Sequence, residues 1–218
     1  MKSIKKSILW RLPGEWRTRL IRWKNHLFPN YVDFDDKSIK SREKFRSDYR
    51  IVANSLSDIL DFYSVLDVGC AQGFLIEPLH EEGFHVEGIE VSDDVVKYLS
   101  ESIASRVTIG DFSEADGSYD LVCCVEVAEH IEPARSEELV EKLCSLSSEW
   151  IYFTAAMPGQ GGHGHINCRP HEHWIQWFEE REWFVRSDMT RELRQDLEEV
   201  KKTYWIKENS LILSKKQA

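Results

Sequence analysis

Ser64-Val65-Leu66-Asp67-Val68, running into Gly69-Cys70-Ala71-Gln72-Gly73, decides the fold class of this 218-residue chain. The first five residues suit a short buried strand, and the next five form a glycine-marked turn. Phe74 to Glu82 then reads as a helix despite Pro78, and Gly83 stops it. Phe84 to Val91 reads as a second strand. Ser92 follows as the cap of a helix with Asp93 and Asp94 in its first turn, favourably placed for the helix dipole. Working outward, strands are expected at Arg106–Ile109, Tyr119–Val125 and Trp150–Ala155, with a helix at Pro133–Ser147. Upstream, Phe45, Tyr49, Val52, Leu56, Ile59 and Leu60 recur at three- and four-residue steps, which predicts a helix from about Lys40 to Phe62. Downstream come a Gly/His-rich loop over 157–173 and an aromatic helix near Trp174–Glu180, whose Trp174, Trp177 and Phe178 are expected in the core, with a lid over the substrate as the alternative. Strands near Trp183–Arg186, Thr203–Lys207 and Ser210–Ser214 surround a helix near Thr190–Lys202. Strands alternating with helices predict an α/β fold, a parallel sheet with helices on both faces.

Hydrophobic residues make up 42% and aromatics 11%, enough for a real core, which excludes disorder throughout. The size fits one domain with a short appendage: a basic, Trp-containing segment over 1–39 and a globular domain over 40–218. No apolar run approaches the roughly 20 residues of a membrane span, and the start lacks a secretory signal pattern. Five cysteines without framework spacing point to a reducing, cytoplasmic setting. The net charge of −10 is unevenly placed. Residues 1–24 carry +7 and the remaining 194 carry −17, which argues against nucleic acid as a partner. Trp10, Trp16 and Trp23 sit in the basic segment. That segment is either an arm packing through its tryptophans or a peripheral contact for an anionic membrane surface; Pro13-Gly14 breaks any long helix there.

In such a sheet, ligands bind beyond the carboxyl ends of the strands. A dinucleotide fingerprint needs glycine-type residues at 69, 71 and 74, and Ala71 and Phe74 fail that test; a P-loop lysine is absent as well. What stands there is acid-x-Gly-x-x-x-Gly. Glu90, 21 residues after Gly69, ends the second strand, where an acid can accept hydrogen bonds from ribose hydroxyls. Gly110-Asp111-Phe112 follows the third strand and suits an adenine, the acid taking the amino group and the ring stacking.

Val65 to Gly73, Gly88-Ile89-Glu90, Gly110-Asp111 and Tyr119-Asp120-Leu121-Val122, in this order, resemble the class I S-adenosylmethionine-dependent methyltransferases over roughly residues 40–214. The resemblance implies a Rossmann-like, doubly wound, mostly parallel seven-stranded sheet. It implies that Asp67, Gly69 and Gly73 surround the methionine end of S-adenosylmethionine, that Glu90 holds the ribose, and that Asp111 and Phe112 hold the adenine. Cys70, Ala71, Val91, Val125 and Glu126 flank these motifs and complete the expected cofactor contacts. Ala71 departs from the pattern, which commonly has a third glycine there.

Two further stretches carry chemistry. Glu126-Val127-Ala128-Glu129-His130 places two carboxylates and an imidazole after the fourth strand. Gly161 to Trp174, after the fifth, holds four of the eight histidines. Glu-x-x-Glu-His resembles the metal-binding motif of the ubiquinone-biosynthesis O-methyltransferases and of the 2′-O-methyltransferases of small-RNA 3′ ends. Carried over, the resemblance makes Glu126, Glu129, His130 and His165 the ligands of a divalent metal. Two imidazoles favour Mn²⁺, Zn²⁺ or Fe²⁺ over Mg²⁺. A bound metal lowers the pKa of an acceptor hydroxyl. Without it, His165 or His163 is the expected general base, with His130 packed or acting alone. A compact zinc site from His163, His165, Cys168, His171 and His173 matches no standard finger spacing.

The loop from Pro158 to Trp174 is long, polar and glycine-rich, suited to closing over an acceptor. The leading expectation is O-methylation of a hydroxyl on a sugar, glycan or other small metabolite. Two alternatives stand beside it: 2′-O-methylation of RNA 3′ ends, and a non-catalytic S-adenosylmethionine-binding partner subunit.

Overall fold

A computed structural model describes residues 36–215. The basic segment with Trp10, Trp16 and Trp23 lies outside them. Helix α1 spans Asp36–Ser41 and passes through a 3-10 turn, Arg42–Phe45, into α2, Arg46–Ile59. The core follows as β1 (Ser64–Val68), α3 (Ile76–Glu81), β2 (His85–Glu90), β3 (Val107–Ile109), β4 (Tyr119–Val125), α4 (Ser136–Leu146) and β5 (Ser147–Thr154). The chain ends with α5 (His171–Glu179), β6 (Phe184–Val185), α6 (Ser187–Asp196), α7 (Tyr204–Asn209) and β7 (Leu211–Ser214).

The seven strands form one sheet in the order β3-β2-β1-β4-β5-β7-β6. The pairs within β3-β2-β1-β4-β5 are parallel, and β7 runs antiparallel between β5 and β6. The fold is thus the doubly wound, mostly parallel sheet expected. Side-chain alternation divides the core between the two faces. Leu121, Cys123 and Val125 of β4 pack with Val52 and Leu56 of α2, Leu79 of α3 and Leu193 of α6. Val122 and Cys124 face the other way, onto Leu139 and Leu143 of α4 and Trp174 and Phe178 of α5.

Three expectations are corrected. Thr203–Lys207 is not a strand but the start of α7. The Asp48 carboxylate, 3% exposed on α2, accepts from Lys202 N at 2.7 Å, Thr203 N at 2.9 Å and Thr203 Oγ1 at 3.2 Å. That distant acid satisfies donors at the helix start and overrides the strand preference of Tyr-Trp-Ile. Ser92 makes no side-chain cap, and the segment after it is a 3-10 helix, Asp93–Tyr98. The Ser92 N–H instead donates to Glu90 Oε1 at 2.8 Å. The helix after the glycine turn begins at Ile76, which puts Pro78 in its first turn, where a missing N–H costs little.

Candidate active site

The chain runs from β1 out to β3, then returns to β4 on the other side of β1. The carboxyl ends of β1 and β4 flank this switch point, where such sheets bind ligands. Asp67 pairs across to Cys123, so the 69–73 turn and the 126–130 turn leave the sheet side by side.

At the β1 end, Gly69 adopts φ +78°, and a Cβ there would press on the Val127 side chain. Ala71 also lies in the left-handed region, at φ 45°. Its N–H donates to Glu90 Oε2 at 3.0 Å. With Ser92 N on the other oxygen, the Glu90 carboxylate pins the turn to the end of β2. Asp67 is 4% exposed; burial, with the nearby Glu90 charge, pushes its carboxyl up to about 7. A narrow cavity is lined by Asp67, Gly69, Cys70, Ala71, Gln72 and Val125, together with Arg42, Tyr49 and Phe74. Gln72 is buried, and its Oε1 has no hydrogen-bond partner. The Cys70 thiol abuts the Gly88 backbone, so this residue meets the cavity mainly through its main chain. Val91, beyond Glu90, is 47% exposed, an apolar surface next to the acid.

At the β3 end, Asp111 caps a short 3-10 turn through Ser113 N. Its carboxylate is held by Arg135, Oδ2 accepting from Nη1 at 2.9 Å and Oδ1 from Nη2 at 2.8 Å. The carboxyl is held well below the usual range despite partial burial, by hydrogen bonds from Arg135 and Ser113 and by the guanidinium charge. The Arg135 guanidinium also covers the Phe112 ring at 4.3 Å. The Phe112 ring, expected to stack on adenine, is 6% exposed, packs into the core and has this cation on one face.

At the β4 end, the Glu126–His130 turn is stitched to the loop after β5. Ile166 N and Asn167 N both donate to the Glu129 carbonyl, at 2.9 and 3.0 Å. Asn167, 4% exposed, donates through Nδ2 to the Ala128 carbonyl at 3.1 Å and to Ser136 Oγ at 2.9 Å. The half of the loop after Gly164 is therefore built into the site rather than left as a free lid.

Glu129, His130 and His165 come together, with one ligand atom from each within 4.8 Å of the others. Glu129 is fully buried; among the described residues neither carboxyl oxygen makes a hydrogen bond of full geometry, although the Glu129 and Ala156 N–H groups and the Glu126 carboxyl approach it. Burial, reinforced by Glu126, raises its pKa. His165 Nε2 stands 3.9 Å from Glu129 Oε1. His130 Nδ1 lies 3.0 Å from the Gly164 carbonyl and His165 Nδ1 3.3 Å from the Gln160 carbonyl. A carbonyl only accepts, so these contacts favour a proton on each Nδ1. Burial lowers the His130 pKa to about 4, which keeps it neutral near pH 7.

Glu126, the fourth expected ligand, is not among the three that converge within 4.8 Å, though its carboxyl approaches that of Glu129. Its Oε1 accepts from Asn209 Nδ2 at 3.0 Å and its Oε2 from Gln160 Nε2 at 3.4 Å. His163 is exposed. The five-residue zinc arrangement does not form either, since His171 Nε2 contacts the Ala155 carbonyl at 3.1 Å and His173 is exposed. Sequence reasoning missed Arg42, Tyr49, Gln72, Arg135, Gln160, Asn167 and Asn209. Gln72 lay in plain view inside the glycine turn; the other six reach the site through tertiary packing.

Residues 15–200 match the methyltransferase domain family model, so the chain belongs to that family. Its fold is that of the class I S-adenosylmethionine-dependent methyltransferases. A ubiquinone biosynthesis O-methyltransferase of Paraburkholderia xenovorans is 33% identical over 102 residues, 42% of this chain and 43% of the relative. One from Rickettsia bellii is 35% identical over 98 residues, 41% and 37% of the two chains. The matched stretch spans less than half the length of these curated relatives. Among solved structures, a SAM-dependent methyltransferase of Archaeoglobus fulgidus superposes with a TM-score of 0.59 at 20% identity, covering 83% of this chain and all of that one. A SAM-bound amino pentose methyltransferase of Micromonospora echinaspora gives 0.61 at 13% identity, covering 85% and 98%. At these identities the structures speak for the fold alone.

Proposed function

We propose that the chain is an S-adenosylmethionine-dependent O-methyltransferase acting on a hydroxyl of a small acceptor, a sugar, glycan or catechol-like diol. The observation that carries this reading is the pairing of β1 with β4. It sets a cofactor-shaped turn directly beside a buried carboxyl and two histidines. The printed name of the curated relatives, O-methyltransferase, favours oxygen as the accepting atom.

The residues divide the work by charge. Arg42 is complementary to the carboxylate of a methionyl zwitterion, and Asp67 with Gln72 Oε1 to its ammonium. Glu90 keeps lone pairs for ribose hydroxyls after accepting two backbone N–H groups. Asp111 Oδ2, with one partner in Arg135, keeps room for an adenine amino group. In the transfer, the acceptor oxygen attacks the methyl carbon in line, the C–S bond breaks, and its electron pair returns to sulfur as a neutral thioether. His165 Nε2 is placed to take the hydroxyl proton. Alignment of acceptor and methyl accounts for much of the acceleration.

Glu129, His130 and His165 also fit a divalent cation. The convergence of the buried Glu129 carboxyl on two imidazoles is the strongest sign, because a buried acid is costly unless it is neutral, paired or metal-bound. Such an ion supplies a Lewis acid that lowers the pKa of the acceptor hydroxyl. The test is methyl transfer from labelled S-adenosylmethionine to a panel of diols, with and without chelator. Transfer to oxygen supports the reading, and transfer to nitrogen or carboxyl acceptors alone contradicts it.

A further inference from the structure

The Glu126 carboxylate, the loop after β5 and helix α7 meet at one small hydrogen-bonded knot. Asn209, the last residue of α7, is 1% exposed. Its Nδ2 donates both to Glu126 Oε1 at 3.0 Å and to Gln160 Oε1 at 3.1 Å. Gln160 Nε2 reaches the other Glu126 oxygen, and Met157 N donates to Gln160 Oε1 at 3.4 Å. The Gln160 side chain is thus held at both polar atoms. Its main-chain carbonyl is the acceptor that faces His165 Nδ1. Cys168 Sγ also approaches that nitrogen, at 3.6 Å, but has the Gln160 carbonyl as an acceptor of its own at 4.0 Å.

We infer that Gln160 and Asn209 are positioning residues for the acceptor end of the cleft: together they hold the Gln160 carbonyl where it fixes the His165 ring in the Nδ1–H form, leaving Nε2 toward Glu129. The inference rests on the proposed methyl-transfer reading for its purpose. Its geometry couples three elements distant in sequence. The C-terminal helix bears on the histidine through two hydrogen bonds and a short stretch of loop. A ring free to exchange tautomers would present a proton, rather than a lone pair, part of the time. Partners that orient a functional imidazole through its second nitrogen typically matter by about 10–100-fold.

The experiment reads the ring without needing an acceptor. Protein labelled with ¹⁵N-histidine gives the tautomer of His165 from its two ring-nitrogen shifts, assigned with His165→Gln. The wild type should show a single Nδ1–H form. Gln160→Met, close in size but without polar groups, and Asn209→Asp, which keeps the shape but turns the donor into an acceptor, should each give a tautomer mixture. S-adenosylhomocysteine affinity and thermal midpoint should stay near wild type in at least one of them. Cys168→Ala should keep the wild-type pattern. An unchanged His165 pattern in a folded Gln160→Met or Asn209→Asp protein overturns the inference, as does a shift in Cys168→Ala alone. Failure of the wild type to bind S-adenosylhomocysteine sinks the methyltransferase reading instead, and leaves the tautomer measurement intact.

Discussion

Glu129 Oε1 lies 3.9 Å from His165 Nε2, and the two residues come from different loops, one after β4 and one after β5. Nothing local brings them together. The adjacency of β4 and β5 does, aided by the two N–H groups of Ile166 and Asn167 that seize the Glu129 carbonyl. Glu129→Gln removes the buried acid while keeping its shape. It should abolish most methyl transfer, by about a hundredfold or more if the carboxylate serves the acceptor directly, while leaving S-adenosylhomocysteine binding in place. Parallel turnover assays and calorimetry check this.

The same buried acids make stability depend on pH in a defined direction. Asp67 titrates near 7 in the folded chain against an ordinary value of 3.8. The folded state therefore binds the proton more tightly, and stability falls as pH rises from about 4 to about 7. Glu129, also raised, extends the fall to higher pH. His130, lowered to about 4, works the opposite way below about 6.5, so the protein without ligands should lose stability most clearly as pH rises from about 6.5 to 8. Asp67→Asn should flatten the lower part of that slope in urea melts at stepped pH.

Ala71 sits at φ 45° because Glu90 holds its N–H. A left-handed L-residue costs roughly 1–2 kcal/mol, partly offset by the entropy a glycine would lose on folding. Ala71→Gly should stabilise the chain by about 0.5 kcal/mol in denaturant unfolding, with cofactor affinity retained.

Gly162 is exposed, yet a Cβ at that position would collide with the His165 imidazole. Gly162→Ala should leave the thermal midpoint within a degree or two, since the core is untouched. It should lower methyl transfer by about tenfold or more through the displaced ring. An unaltered rate would mean that the His165 position is not critical.

Residues 1–24 carry +7 and three tryptophans. Each Lys or Arg near an anionic surface contributes about 1 kcal/mol of attraction. The full chain should sediment with phosphatidylserine-containing vesicles and be released by salt, and a chain starting at Asn25 should stay in the supernatant. Equal behaviour of the two would discard the membrane contact.

Much of this molecule was legible in its sequence, for physical reasons that differ by region. Ser64–Val68 and Tyr119–Val125 read as buried strands because sheet burial leaves apolar runs, and both match their observed bounds. The methyltransferase family and its sheet were readable from the glycine turn and the spacing to Glu90. What escaped was whatever depends on a partner distant in sequence. Thr203–Lys207 looks like a strand until Asp48 holds the Lys202 and Thr203 N–H groups just ahead of the helix. The Arg135 guanidinium over Phe112 has no signal in the sequence around either residue. The Asn209 and Gln160 contacts that hold the Glu126 carboxylate are equally invisible in the sequence.

Titration calorimetry of S-adenosylhomocysteine into the purified chain tests the central claim most directly. The account predicts one site per chain, with affinity weakened about tenfold or more in Arg42→Ala and in Glu90→Ala. Absence of binding under conditions where the chain is folded would contradict it.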